Sequence, residues 1–393
     1  MTPVVATGLD RIASGDAAVV ARLRGRKVGL VAHPASVDRR LMHASFVLAH
    51  AGADIRAFFG PEHGYGGEAQ DMASVGGARG ADGVPIYSLY GATEAELAPT
   101  AEQLEGLDAI VIDLQDVGAR YYTFVWTAVL VMRAAAARGI ETIVLDRPNP
   151  LGGELVEGAP QRAGHRSFVG LCDVPVRHGL TIGELVAHVR AAEKLDDRAL
   201  TVVAMRGWRR AMTFPQTGLP WVLPSPNMPT YDTARVYPGG CLVEGTNLSE
   251  GRGTTRPFEI FGAPYLDGRA LARRVSLRGA VLRPLTFTPT FHKHAGTRCG
   301  GVQVHVTNER AFSSYAAYLV LLDAIRRQAG ERFAWRSEVY EFVKDRLAID
   351  LLTGGPEARE AIDRGSGLDE VLAREEAGAA VWREQRRPML AYA

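Results

Sequence analysis

Short apolar runs recur through the first half of the chain, and each stops abruptly in a polar cluster stiffened by Pro or Gly. Val28 to Ala32 ends at His33-Pro34, with Asp38 close behind. Ile55 to Phe59 ends at Gly60-Pro61-Glu62-His63-Gly64. Asp108 to Asp113 runs into Leu114-Gln115-Asp116, and Thr142 to Leu145 into Asp146-Arg147-Pro148-Asn149-Pro150. Apolar runs this short read as buried strands. Ile86 to Tyr90 and Leu200 to Met205 are further strand candidates. Helical patterns lie between them: about Arg39 to Ala51, Thr123 to Arg138 with Gly139 as the stop, and Thr181 to Ala192. In the last, Thr181 takes the N-cap and Glu184 the capping-box position. Strands alternating with helices predict βαβ units and a parallel sheet, an α/β fold. In such a sheet all the polar clusters fall on one edge, the edge where open α/β sheets bind ligands.

The segment from about Thr213 to Pro257 breaks this rhythm. It is rich in Gly, Pro, Asn, Ser and Thr, yet carries Trp221, Tyr231 and Tyr237. A flexible linker would not hold so many aromatics, so an ordered loop region at a domain junction is expected. Beyond it come a strand candidate at Val302 to Val306 and helical patterns at Tyr315 to Gln328 and near Glu338 to Lys344. With 393 residues there is room for two domains, expected over 1–232 and 233–393.

Several function classes lose support from composition and missing motifs. Hydrophobic residues at 47% and charged residues at 23% are those of an ordinary globular protein. A net charge of +1 gives no bulk attraction to nucleic acid or to an acidic membrane. Neither GxxxxGK[ST] nor a GxGxxG after the first strand is present, which counts against a nucleotide enzyme. No GxSxG elbow supports a serine hydrolase. Without HExxH or a CxxC pair, and with Cys172, Cys241 and Cys299 scattered, no metal, cofactor or disulfide framework is expected. No run is long and apolar enough for a membrane helix, and the N-terminus shows no basic and apolar leader pattern. A cytoplasmic setting is therefore expected, or an exported one if the N-terminus has been trimmed. The chain carries no signal for a particular oligomeric state.

The chemistry concentrates in the polar clusters. A Glu in a stiff turn at a strand end is a good general acid or base, which singles out Glu62, with His63 beside it. It could equally cap the next helix. Asp113, Asp116, Arg120, Tyr121, Tyr122, Asp146 and Arg147 would share the same edge. That mixture suits a polar ligand with many hydroxyls and an acid-dependent reaction. Asp113 and Asp116 could instead cap turns or pair with Arg120, and Asp146 with Arg147 could be a structural ion pair. The stretch from Glu244 to Glu259 packs three Glu and two Arg among glycines, and glycines let a backbone approach a ligand closely.

Taken together, the stretches KVGLVAHPASVD, FFGPEHGYGG, PIYSLYG, DLQDVGARYYTF, VLDRPNPLGG, RHGLTIGEL, TGLPWVLPSPNMPT and VYPGGCLVEGTNLSEGRGTTRPFE resemble, in order and across nearly the whole chain, the exo-β-N-acetylmuramidase (NamZ) family of bacterial glycoside hydrolases. The resemblance implies a Rossmann-like N-terminal domain, a smaller α+β C-terminal domain, and an active-site cleft between them. It implies release of terminal N-acetylmuramic acid from non-reducing ends of peptidoglycan fragments, so that muramyl saccharides are the expected partners. It also implies Glu62 as the leading catalytic residue. Departures occur at His33 and Gly66, where family members often have Asn and Arg, and over Ala159 to Arg166.

On this reading Glu62 protonates the leaving glycosidic oxygen, a task suited to a partly closed apolar cleft, and His63 positions acid or substrate. Asp116, Glu250 and Asp146 are the candidates for a second catalytic group. The substrate's acetamido group could replace it. The lactyl carboxylate of muramic acid calls for a guanidinium fork, supplied by one or two of Arg120, Arg147, Arg252 and Arg256. Tyr121, Tyr122 and Trp221 offer faces for a sugar. Asp113, Asn149, Asn227 and Asn247 lie in the same motifs and are expected to contact it. Two other readings are a muropeptide-binding protein without turnover and a sugar-phosphate or nucleotide enzyme of Rossmann type.

Overall fold

The computed structural model describes residues 5–70, 72–74, 76–80 and 83–393. The first sheet holds β1 (Lys27–Ala32), β2 (Asp54–Gly60), β3 (Ala78–Arg79), β4 (Pro85–Ser88), β5 (Ala109–Asp113), β6 (Glu141–Leu145) and β7 (Leu200–Val203), in the order β3-β4-β2-β1-β5-β6-β7. Only the edge strand β3 pairs antiparallel; the other pairings are parallel. Without β3, the parallel strands taken in chain order stand 3-2-1-4-5-6, the Rossmann arrangement.

Alternation along β5 shows why these runs became strands. Ala109 and Val111 pack on one face with Leu30, Ile143 and Leu145. Ile110 and Ile112 pack on the other with Val31 and Val144. Successive residues of a strand point to opposite faces, so a continuous apolar run belongs in a sheet covered on both sides. Helices Gly8–Ala13 and Ala44–His50 cover the first face, and Phe124–Ala136 and Ile182–Ala192 the second. Thr181 and Glu184 form the expected capping box.

Two expected helices differ. The stretch from Arg39 to Ala51 is helical only over Ala44–His50. Upstream, Asp38 Oδ1 accepts from the backbone N–H groups of Arg40 and Met42, and an Asp that captures nearby amides holds a turn in place of a helix. The stretch near Glu338 to Lys344 is a tight turn closed by reciprocal Tyr340–Val343 backbone bonds.

The second sheet, β8 (Ile260–Ala263), β9 (Ala280–Phe287) and β10 (Cys299–Val306), is antiparallel in the order β8-β10-β9. Helix Ser314–Ala329 packs on the helix Tyr231–Gly240, which itself touches β10 and runs across the expected border at 232/233. The C-terminal end then returns to the first domain. Trp382 Nε1 and Arg386 donate to the His178 carbonyl. Tyr392 Oη donates to Asp146 Oδ2 at 2.6 Å and accepts from the Met205 N–H at 3.0 Å. Thr181 Oγ1 and the Gly183 N–H also donate to Asp146, so this carboxylate ties β6, a helix start and the chain end together.

Replacing Tyr392 by Phe should cost about 1–3 kcal/mol of stability, because it removes a donor from a buried carboxylate and the acceptor of a buried amide. Denaturant unfolding of the two proteins at one pH checks this.

Candidate active site

The carboxyl ends of β1, β2, β5 and β6 do bring the polar clusters to one edge, but most of their side chains are spent on one another. Arg147 grips Asp113 with both arms of its fork, Nε to Oδ1 at 2.6 Å and Nη2 to Oδ2 at 2.7 Å. Asn149 donates to the Leu180 carbonyl and accepts from the Leu151 N–H. Gly118, with φ at +82°, lies so close to Asn149 that a Cβ would meet Asn149 Oδ1 at 2.3 Å. At the switch between β1 and β5, where Rossmann proteins hold a dinucleotide, His33 Nε2 accepts from the Gln115 N–H at 3.0 Å. Its Nδ1 donates to the Pro224 carbonyl, and Ser36 Oγ bonds the Asp113 carbonyl. Burial pushes the His33 ring down to about 3, which keeps it a neutral strut.

The cavity lies to one side of that switch, between the two domains. From the first domain it is lined by Glu62, His63, Tyr121, Tyr122, Thr123, Phe124, Ser225 and Asn227. From the second come Tyr237, Glu244, Arg252, Phe258, Tyr340 and Glu341. Gly60 makes the Glu62 turn possible: a Cβ there would stand 2.3 Å from the Tyr65 nitrogen. Glu62 Oε2 accepts from Thr123 Oγ1 at 2.6 Å, and Oε1 from the Met72 N–H at 3.4 Å. Thr123 is the N-cap residue of helix Phe124–Ala136 and spends its hydroxyl on Glu62, not on its own helix. His63 has φ +72°, a left-handed conformation that is costly for a non-glycine residue and gathers at functional sites. Its Nδ1 donates to the Ala69 carbonyl at 2.8 Å. A carbonyl can only accept, so Nδ1 carries the proton and Nε2 is the acceptor of the neutral ring.

A chain of edge-to-face rings crosses from one domain to the other: Phe124 to Tyr122 at 4.8 Å, Tyr122 to Tyr237 at 5.8 Å, and Tyr237 to Phe258 at 4.9 Å. Tyr121 joins it against Tyr237. The chain ends under Arg252, whose guanidinium carbon lies 5.1 Å from the Phe258 ring centre. Arg252 Nη2 reaches Glu244 Oε1 at 2.7 Å, and Tyr340 donates to the other Glu244 oxygen at 2.8 Å. Glu250 stands behind Arg252, with Nε at 3.3 Å, and does not line the cavity. His292 Nδ1 at 2.8 Å and Lys293 Nζ at 3.1 Å hold it from the β9–β10 loop. Burial alone would push Glu250 up, but Lys293, His292 and Arg252 together keep its carboxyl well below the usual range.

Other expected site residues are placed elsewhere. The Arg120 guanidinium, fully buried, donates to the carbonyls of Val174, Leu351 and Leu352. Asn247 is bound to Tyr265 and the Arg332 and Ala334 backbone. Arg256 lies 3.6 Å from Glu259. Trp221 packs on Phe214 and Tyr231 and donates to the Met228 carbonyl. Asn227 does line the cavity and donates to Gln70 at 2.7 Å. Asp116 is buried and does not line the cavity. Its Oδ2 accepts from the Gly118 N–H at 2.9 Å, and burial pushes its carboxyl up to about 7. Sequence reasoning did not single out Thr123, Tyr237, Glu244, Tyr340 or Glu341 as site residues. Glu244 opens the Gly-rich motif and could have been found there; Tyr340 and Glu341 sit in the stretch whose pattern reads as helix.

Family models for the exo-β-N-acetylmuramidase NamZ match this chain in two parts, the N-terminal model over residues 28–232 and the C-terminal over 235–392. The chain belongs to the NamZ family. It is 41% identical to the peptidoglycan β-N-acetylmuramidase NamZ of Bacillus subtilis (strain 168), over 99% of this chain and 92% of that protein. Two DUF1343 family proteins of Bacteroides fragilis with solved crystal structures have the same fold. One has a TM-score of 0.85 at 31% identity and the other 0.75 at 26%, each covering 99% of both chains. Among the described residues no helix is long and apolar enough to cross a membrane, and no group of three or more His, Cys, Asp or Glu is placed to hold a metal ion.

The raised Asp116 carboxyl has a consequence for stability. The folded state holds that proton between about 4 and 7 while the unfolded chain releases it, so stability falls as pH rises through this window. The contribution is up to about 4 kcal/mol at roughly 1.4 kcal/mol per unit. Asp116→Asn should flatten that slope, as read by chemical unfolding at pH 4.5 and 7.5.

Proposed function

We infer that this chain is an exo-acting β-N-acetylmuramidase that removes terminal N-acetylmuramic acid from peptidoglycan fragments by acid catalysis at Glu62. The observation that carries the reading is one cavity holding a buried carboxylate, an imidazole acceptor and a buried guanidinium among aromatic rings, built from both domains. Protonated Glu62 gives its proton to the glycosidic oxygen as the bond from that oxygen to C1 breaks. Among the described residues the other lining carboxylates already accept from neighbours, Glu244 from Arg252 and Tyr340, and Glu341 from Tyr90. This favours the acetamido carbonyl oxygen of the substrate as the internal nucleophile at C1. His63 Nε2 would accept the acetamido N–H as the oxazolinium ring forms. Glu62, now a carboxylate, would take a proton from the water that reopens it at C1, giving net retention.

Arg252 is our choice for the lactyl carboxylate. It is the arginine of the four expected ones that lines the cavity, and Glu244 with Glu250 fix the plane of its fork. Tyr121, Tyr122 and Asn227 would complete the sugar site. Arg147 and Asp113, Asp146, Asn149, Asn247 and Arg120 would serve by holding the loops.

Glu62→Gln should fold and lose at least roughly 100-fold in turnover of a chromogenic β-N-acetylmuramide, and NMR of the wild-type reaction should show the β-anomer first. An α-anomer would overturn the acetamido route. Arg252→Lys keeps the charge and loses the fork. It should lower the preference for the muramide over the matching glucosaminide by about 10-fold or more, whereas equal losses on both would place the lactyl site elsewhere.

A further inference from the structure

Glu341 is a second-domain carboxylate on the cavity wall, 5% exposed, in a segment whose sequence pattern reads as helix. It sits at the tip of the Tyr340–Val343 turn, where Glu341 has φ +46° and Phe342 φ +67°. Two consecutive left-handed residues form the kind of turn that normally recruits Gly, Asn or Asp. Here a Glu and a Phe occupy it. Strain kept at both positions points to a requirement on the side chains themselves. Phe342 packs on Tyr90 at 5.8 Å, and Tyr90 on Phe168 at 6.0 Å. Tyr90 Oη donates to Glu341 Oε2 at 3.0 Å. The turn therefore presents a carboxylate to the cavity, aimed by Tyr90 and backed by aromatic rings. Glu62 is held by a different group, Thr123.

We propose that Glu341 is a specificity-determining residue that accepts a hydrogen bond from the free 4-hydroxyl of the terminal sugar. This rests on the hydrolase reading above and extends it to the far end of the ring. In muramic acid the 3-oxygen carries the lactyl ether, and C1 carries the bond that Glu62 breaks. The 4-hydroxyl, across the ring from C1, is free only at a non-reducing end; within a 1,4-linked chain it is an ether. A carboxylate has no proton to give, so it rewards a hydroxyl and repels an ether oxygen. A site built around a hydroxyl rejects an analogue that lacks it, because its buried polar group is left unpaired. Glu341 thus selects chain ends chemically.

The test compares wild type, Glu341→Gln and Tyr90→Phe on a chromogenic β-N-acetylmuramide and on its 4-deoxy analogue. Wild type should lose roughly 10- to 100-fold in kcat/KM on the 4-deoxy substrate, as expected for a hydrogen bond to a charged group. Glu341→Gln should lose a similar factor on the parent and little on the analogue. Tyr90→Phe, which removes the Tyr90 hydroxyl that aims the carboxylate, should show the same pattern more weakly, and it carries the test if Glu341→Gln melts early. Equal fold-losses for both substrates, or a wild type indifferent to the 4-hydroxyl, would overturn the role of Glu341 and leave Glu62 hydrolysis standing. Absence of wild-type turnover on either substrate would remove the hydrolase reading and this proposal together.

Discussion

The seam of rings from Phe124 through Tyr122 and Tyr237 to Phe258 is what the rest of the site depends on. It joins the two domains by buried apolar contact, which needs no exact register and tolerates the irregular backbone on either side. At its end the Phe258 ring lies under Arg252, and that guanidinium is held in plane by Glu244 and Glu250. A buried arginine between two carboxylates would be costly if any partner were missing. From the β9–β10 loop Lys293 supplies the remaining charge, and His292 Nδ1 a further contact to Glu250. The Arg252 side of the cavity is thus a product of second-domain packing, while Glu62 comes from the end of β2 and is held at a helix N-cap.

Division of labour on the sheet edge follows from the same physics. Polar groups that are buried must find partners, and on a crowded edge the nearest partners are other loops. Asp113, Arg147, Asn149 and Asp146 find partners in one another, in the backbone and in Thr181, which ties the loops after β1, β5 and β6 and the start of helix Ile182–Ala192 into one frame. Glu62 and His63 sit on that frame with part of their hydrogen-bonding capacity directed to the cavity. His33 and Ser36 fill the crevice where a dinucleotide would otherwise lie, so on this Rossmann strand order the cavity is displaced toward β2.

Much of this was legible beforehand because it rests on local patterns. The parallel strands, the Thr181 capping box and the convergence of strand-end clusters all follow from side-chain periodicity and turn chemistry. The helix expected over Arg39 to Ala51 was too long because Asp38 takes amides that a helix would have used. Tyr340 and Glu341 were hidden for a similar reason: their stretch has helical spacing, but two left-handed residues turn it into a hairpin tip. Arg120 and Arg252 look alike in sequence, each in a glycine-containing loop motif, Gly118-Ala119-Arg120 and Gly251-Arg252-Gly253. Only packing sends one to backbone carbonyls and the other to the cavity.

By itself the sequence determined the α/β class, the edge that gathers the polar clusters and the stiff turn that presents Glu62 to the cavity, since each depends on residues close together in the chain. Tertiary structure decided which charged groups are spent on structure and which face the ligand. It also brought Glu244, Arg252, Tyr340 and Glu341 to the same cavity as Glu62. Partners so distant along the chain are chosen by how two domains pack, and no local pattern encodes that choice.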